Sequence, residues 1–415
     1  MSETRSRPIG PFALLALGVN GIVGVGIFFI PATVAALTPG ASGILVFAAT
    51  GFALMPVALA FAVLGRRFDE DGGPVVFARA AFGEGFSFLV GWLAYVSAIL
   101  SASAVMVGLA TAGFGFTGSV SRRLSVTALV TTLALVVASG ISISARTWTT
   151  LTVLKLLPLV ALVACFLALG APGAPLGDVG GGESSWARAI LTALFAYQGF
   201  EIVPVIAGQV RASERWVPFA TVGSLAMACV LYALLMWACV ATLPDLASRA
   251  TPLAAAAEVL GGAGLARVVR LGTNISSLGI CLGMMVTTPR YLSALAGGGR
   301  RLLDLDRFAA NGVPLRALLV TWALVTAVVQ YPNLGELFAL SSLAVLTQYG
   351  VTAAALFALA LRGERGLRKA HAWLALPAFA LGLYLAAQGA TAHEGYASLA
   401  AVVSGLLLFS LSRPR

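Results

Sequence analysis

Short polar clusters punctuate the chain at nearly regular intervals, and the stretches between them are apolar. Breaking the chain at charges and at Pro and Gly clusters leaves apolar segments near 12–38, 42–65, 85–114, 123–142, 147–171, 186–210, 217–243, 265–296, 315–331, 334–361, 372–389 and 396–412. Most approach the roughly 20 residues a helix needs to cross a bilayer. Runs such as Leu124–Val137 and Val222–Val240 are apolar on every face, unlike the short alternating segments of a membrane β-barrel. The pattern predicts an all-α polytopic membrane protein with 12 transmembrane helices. The first segment follows Arg5 and Arg7 as a secretory leader would, but it runs for roughly 27 residues where a leader's apolar core has about 7–15. A retained first helix is expected.

Composition agrees with the pattern and narrows the classes. Of 415 residues, 59% are hydrophobic and 10% charged, whereas soluble domains carry about 25% charged residues, which excludes a soluble enzyme. The formal charge of +10 raises the question of an anionic partner, and the placement of the basic residues answers it. With the N-terminus inside, 19 of the 26 Lys and Arg residues fall in cytoplasmic connections. Six fall outside (Arg122, Arg123, Arg188, Arg249, Arg267 and Arg270), and Lys155 alone lies within a span. Positive residues are held on the cytoplasmic side during insertion, so both termini are expected there, in the plasma membrane or, in a bacterium, the inner membrane. The excess charge reports topology, and no nucleic-acid motif accompanies it. Cys165, Cys229, Cys239 and Cys281 lie in apolar stretches without metal-ligand spacing, so they read as reduced core residues. The polar 297–314 connection, with Arg301, Asp304, Asp306 and Arg307, suits either an amphipathic surface helix or an irregular loop.

Ionisable groups inside a bilayer are costly and point to function. Two are placed deep in predicted spans: Lys155 in LTVLKLLPLV and Glu201 in FAYQGFEIVP. Membrane-embedded hydrolases and metalloenzymes need converging nucleophiles, bases or ligands. No HExxH, GxSxG or paired intramembrane Asp occurs, so neither an enzyme nor a bound cofactor or metal is expected. Two irregular stretches remain. In the first span, Asn20 to Phe28 places Gly21, Gly24 and Gly26 within six residues. In the sixth, Phe195 to Pro204 gathers aromatic, amide, glycine, carboxylate and proline side chains. Close helix packing accounts for glycines of this kind. A break in the helix accounts for them equally, because it turns backbone N–H and C=O groups toward a cavity where they bind charged substrate groups. Breaks in spans one and six are what two inverted five-helix repeats would produce: residues 12–171 as the first repeat, 186–362 as the second, with 372–412 as two added helices.

These residues resemble the amino acid–polyamine–organocation (APC) superfamily of secondary transporters, which share the LeuT-type 5+5 inverted-repeat fold. GIVGVGIF at 21–28 is similar to the family's first-helix signature, and FAYQGFE at 195–201 to its sixth-helix signature. Arg215 with Pro218 and Ala220, Arg290 with Ala294, and Pro314 with Ala317 match further elements in order. The resemblance implies a single transporter domain that moves amino acids by alternating access. It assigns a substrate carboxylate to amides around Gly24, Val25 and Gly26, and an ammonium to carbonyls near Ile22, Val23, Phe195, Ala196 and Gly199. Phe195 falls where relatives carry an aromatic gate, and Glu201 where a carboxylate holds the inner gate. Lys155 matches a lysine that stands in for a sodium ion in sodium-independent members, either as a titrating group that couples protons or as a fixed strut to helix one. Val25 departs from the pattern, since many relatives have Ser there. Val25, Phe195, Tyr197 and Phe200 give the site an apolar lining, which favours a neutral substrate, with proton symport preferred over exchange. An exchanger or exporter of amino acids or polyamines is the rival within the family. A channel or a non-transporting scaffold is the rival outside it.

Overall fold

The computed structural model describes residues 10–38, 40–68, 72–116, 118–140, 145–170, 185–210, 212–296, 304–331, 333–364 and 366–412. Among these residues there are helices and no strands. The first apolar segment is two helices, α1 (Pro11–Ile22) and α2 (Gly26–Leu37), bent by 42° at their junction. There follow α3 (Ser42–Arg67), a short α4 (Pro74–Phe82), α5 (Glu84–Gly108) with a π-helical last turn to Gly113, α6 (Ser119–Ala138) and α7 (Ala145–Leu169). The sixth segment is again divided, into α8 (Trp186–Tyr197) and the single turn α9 (Ile202–Val205). Then come α10 (Ser213–Thr242), α11 (Pro252–Ala296), α12 (Leu315–Val328), α13 (Leu334–Leu361), α14 (Ala375–Tyr384) and α15 (Ala392–Leu411).

Among the described residues, nine helices are long and apolar enough to cross a membrane, or ten with α1 and α2 taken as one bent span. This is a multi-pass membrane protein. The expected sixth and ninth spans differ from the rest for a physical reason. At a rise of 1.5 Å per residue, the 12-residue α8 and the 14-residue α12 reach only about 18 and 21 Å of a core near 30 Å thick. Helix α11 bends at Gly261 and Gly262, the latter at φ +67, so a short arm at 252–260 leads into the span at 263–296.

The interior is built from helix pairs distant in sequence: α3 along α10, α5 along α13 and α11, α7 along α11, α6 on α12 and α2 on α8. Aromatic residues fill the junctions. Phe47, Tyr197 and Tyr232 meet between α3, α8 and α10, and Phe61 packs edge-on against both Phe200 and Tyr349. All four cysteines are free thiols, with Cys239 and Cys281 fully buried.

The reading of the charges needs one correction. Five of the six arginines assigned to outside connections lie in helices: Arg122 and Arg123 in α6, Arg188 in α8, and Arg267 and Arg270 in α11. Arg122 and Arg188 are tied into the fold by their side chains. Arg122, in the second turn of α6, is buried, and its guanidinium donates to the carbonyls of Val329, Gln330 and Tyr331 at 3.3–3.4 Å. It thereby caps the negative end of α12. Arg188, in the first turn of α8, donates to both carboxylate oxygens of Glu394 at 2.5 and 2.8 Å. Glu394 is fully buried and also accepts the amide of Thr391 at the start of α15. In the 297–314 connection, residues 304–314 form turns, with Asp304 paired to Arg316 at 2.8 Å, rather than an amphipathic helix. Residues 297–303, and the Gly-rich connection at 171–184, lie outside the described residues.

Candidate functional site

Both glycine-rich stretches are helix breaks, and the two breaks touch. Helix α1 stops at Ile22 because Val23 turns to φ −70, ψ 80, which ends the ladder; α2 restarts at Gly26. In the sixth segment Gln198 leaves α8 in an extended conformation, and Gly199 adopts φ +124, a region that side-chain-bearing residues rarely occupy. A Cβ on Gly199 would stand 2.3 Å from the carbonyl carbon and oxygen of Gly21, and one on Gly26 would stand 2.6 Å from the Cα of Ala196. The two backbones therefore run against each other with no side chain between them.

The expected site residues fall in this junction with distinct surroundings. Ile22, Val23, Val25, Phe195, Ala196 and Tyr197 are buried. The carbonyl of Ile22 already accepts from the Tyr232 hydroxyl at 2.8 Å and from the amide of Gly24 at 2.6 Å. The carbonyl of Val25 accepts the amide of Phe28, and that of Gly199 the amide of Ile202. The Tyr197 hydroxyl is turned to α3, where it donates to the carbonyl of Phe47 at 2.8 Å, so this residue presents its ring and not its hydroxyl to the break.

Three contacts at successive depths join the sixth segment to α13. The Phe195 ring lies 4.6 Å from that of Phe338. One turn on, Gln198 sits among serines: its Oε1 accepts from Ser341 at 3.2 Å and Ser101 at 3.4 Å, its Nε2 donates to Ser342 at 3.5 Å, and Ser101 and Ser341 share a 2.6 Å hydrogen bond. Deeper still, one carboxylate oxygen of Glu201 accepts from the Tyr349 hydroxyl at 2.9 Å and from the amide of Gly199 at 2.8 Å. Glu201 thus closes the turn in which it sits and ties it to α13.

Lys155, 3% exposed, projects from α7 and donates to the carbonyl of Asn20 at 2.6 Å, in the last turn of α1 before the break. On α11, the hydroxyls of Ser277 and Thr287 return to their own helix, whereas those of Ser276 and Thr288 are buried without a partner among the described residues. Sequence reasoning did not single out Ser101, Ser341, Ser342, Tyr232, Tyr349 or Phe338. No local signal distinguishes such residues from ordinary packing until the breaks are placed beside them.

Two abutting helix breaks inside a multi-pass helical protein, with one lysine seated beside them, suit a membrane transporter, and the family and relatives that follow are transporters and not enzymes. The family model described as amino acid permease matches residues 9–399, and the chain belongs to that family, within the APC superfamily. Similar proteins include an uncharacterized transporter of Mycobacterium tuberculosis, 29% identical over 380 residues that cover 87% of this chain and 82% of the relative. A methylthioribose transporter of Bacillus subtilis is 24% identical over 86% of this chain and 82% of its own length. A serine/threonine exchanger of the same organism is 25% identical over 70% of this chain and 68% of its own.

Proposed function

We propose that the protein carries neutral amino acids across the plasma membrane by alternating access, without sodium, as proton-coupled uptake. The observation that carries this reading is the junction of the two breaks at Gly21 and Gly199, with Lys155 seated on Asn20 where a cation would otherwise hold the first helix in place. In this reading amides around Gly24, Val25 and Gly26 take the substrate carboxylate. Carbonyls around Val23, Phe195, Ala196 and Gly199 take the ammonium, and Ile22, its carbonyl already occupied, supports the turn. Phe195 closes one mouth and Glu201 the other.

The same reading takes the chain as twelve spans with cytoplasmic termini, in two inverted repeats at 12–171 and 186–362. Its support is the pairing of helices with their counterparts five spans later: α2 on α8, α3 on α10, α5 on α11 and α6 on α12. Exchange is the second reading. It is favoured by the short Lys155 contact, which suits a permanently charged strut that moves no proton, and by the name of the serine/threonine exchanger among the relatives.

Uptake of labelled amino acids into proteoliposomes tests this, with and without an inward proton gradient and with and without sodium. Saturable uptake driven by the proton gradient and indifferent to sodium is expected. Uptake only against a preloaded internal amino acid would establish exchange instead. Strict sodium dependence would overturn the role given to Lys155, and no saturable transport of any amino acid by the folded protein would overturn the function.

A further inference from the structure

Read from sequence alone, the lining of the site is apolar, yet the first residue of the second break is an amide that the fold surrounds with hydroxyls. Gln198 leaves α8 extended, which swings its side chain between α5 and α13, where Ser101, Ser341 and Ser342 are all buried. It lies one turn beyond the Phe195–Phe338 pair and three residues before Glu201, where the break begins.

Its hydrogen bonds are poor ones. Ordinary O–H···O contacts are about 2.7–2.8 Å, but both hydroxyls that reach Oε1 stop at 3.2 and 3.4 Å, and Nε2 donates only at 3.5 Å. The short bond in the cluster, 2.6 Å, joins two serines to each other and not to the amide. An amide carries two N–H donors and an oxygen with two lone pairs. One of the two serine protons is spent in the Ser101–Ser341 bond, so Oε1 receives only one hydroxyl at a time, and Nε2 uses one N–H. Gln198 therefore keeps a site of each kind unused in a place where unmet polar groups are disfavoured. A hydroxyl or a second amide, each able to donate to Oε1 and accept from Nε2, satisfies it. An aliphatic group does not, and the four neutral side chains offer no counter-charge to a cationic or anionic one. The neighbouring tyrosine does not compete, because the Tyr197 hydroxyl is committed to Phe47.

We infer that Gln198, held by Ser101, Ser341 and Ser342, reads the substrate side chain and selects neutral amino acids that carry a short hydroxyl or amide group. This rests on the amino acid transport reading above. Sites built to hydrogen-bond a substrate hydroxyl reject the analogue that lacks it far more strongly than an apolar pocket rejects an added hydroxyl, so threonine and valine, nearly equal in shape, separate the alternatives.

The experiment compares labelled threonine and valine in proteoliposomes of the full chain. The wild-type protein is expected to prefer threonine at least tenfold in kcat/KM. In Gln198→Leu the ratio falls to about one, with the change in the KM for threonine, and Ser341→Ala moves it several-fold in the same direction. Equal handling of the two amino acids by the wild-type protein overturns the inference, as does a ratio unchanged in Gln198→Leu. If that variant does not fold, the wild-type ratio together with Ser341→Ala decides. Transport of no amino acid at all by folded protein overturns the underlying reading, an outcome distinct from indiscriminate transport.

Discussion

Gly199 and Gly21 meet backbone to backbone: a methyl group on the first would lie 2.3 Å from the carbonyl of the second. Two helices interrupted 175 or so residues apart in sequence are thereby joined at their interruptions, at a distance that no other residue type permits.

Gly199→Ala is expected to abolish transport. The φ of +124 alone costs a side-chain-bearing residue about 1–3 kcal/mol, and the clash with Gly21 forces the breaks apart. Gly350→Ala, on α13 with open space where its Cβ would lie, is the control and should transport as the wild type does. Initial uptake rates, normalised to monodisperse protein, check both.

Lys155→Ala removes the ammonium that holds the carbonyl of Asn20. Uptake is expected to fall by more than tenfold, and Lys155→Met, which keeps much of the volume, should be as poor as Ala. Transport by Lys155→Met at the wild-type rate would reduce the lysine to packing. Rescue of either variant by sodium would show that the vacated position accepts a free cation.

Glu201 performs two tasks through one carboxylate oxygen, and substitutions separate them. Glu201→Gln keeps an acceptor for the amide of Gly199 and should retain more transport than Glu201→Ala, which loses both the turn and the tie to α13. Tyr349→Phe removes only the tie, worth about 0.5–1.5 kcal/mol for a typical hydrogen bond. It is expected to lower uptake less than Glu201→Ala does. A Glu201→Gln variant as inactive as Glu201→Ala would show that the charge itself is required.

The ion pair between Arg188 and Glu394 joins the start of α8 to the start of α15. Because Glu394 is fully buried, breaking the pair with Arg188→Met is expected to cost about 3–5 kcal/mol by stranding a charge. The double variant Arg188→Met/Glu394→Leu should recover most of that. Thermal melting in detergent of the two single variants and the double variant measures the coupling, and additive losses would contradict it.

The fold was legible in the sequence to the degree that single positions are informative. A lone lysine inside a span, or three glycines in six residues, stands out against leucine and alanine; the glycines coincide with the break between α1 and α2, and the lysine bonds to the turn beside it. The serines did not stand out, because a membrane helix conceals them: the hydroxyls of Ser103 and Ser277 simply return to the carbonyls of Ile99 and Thr273. Only a neighbour can recruit Ser101 or Ser341 to another task. Arg122 and Arg188 were misread for the same reason. A count of charges along the chain treats an arginine as belonging to the nearest connection, while the partners that bury it lie 201–209 residues away. The expected sixth and ninth spans correspond to helices of only 12 and 14 residues, since hydropathy continues past the point where each helix ends.

The contacts between the sixth segment and α13 differ in kind from one depth to the next. The Phe195 and Phe338 rings meet tilted at 42°, an apolar contact that tolerates many orientations, whereas Glu201 is held by a directional hydrogen bond from the Tyr349 hydroxyl. In the transport reading proposed above, the two ends of the sixth segment would let go in different ways: the rings can slide over one another by degrees, while the hydrogen bond between Tyr349 and Glu201 is either made or broken.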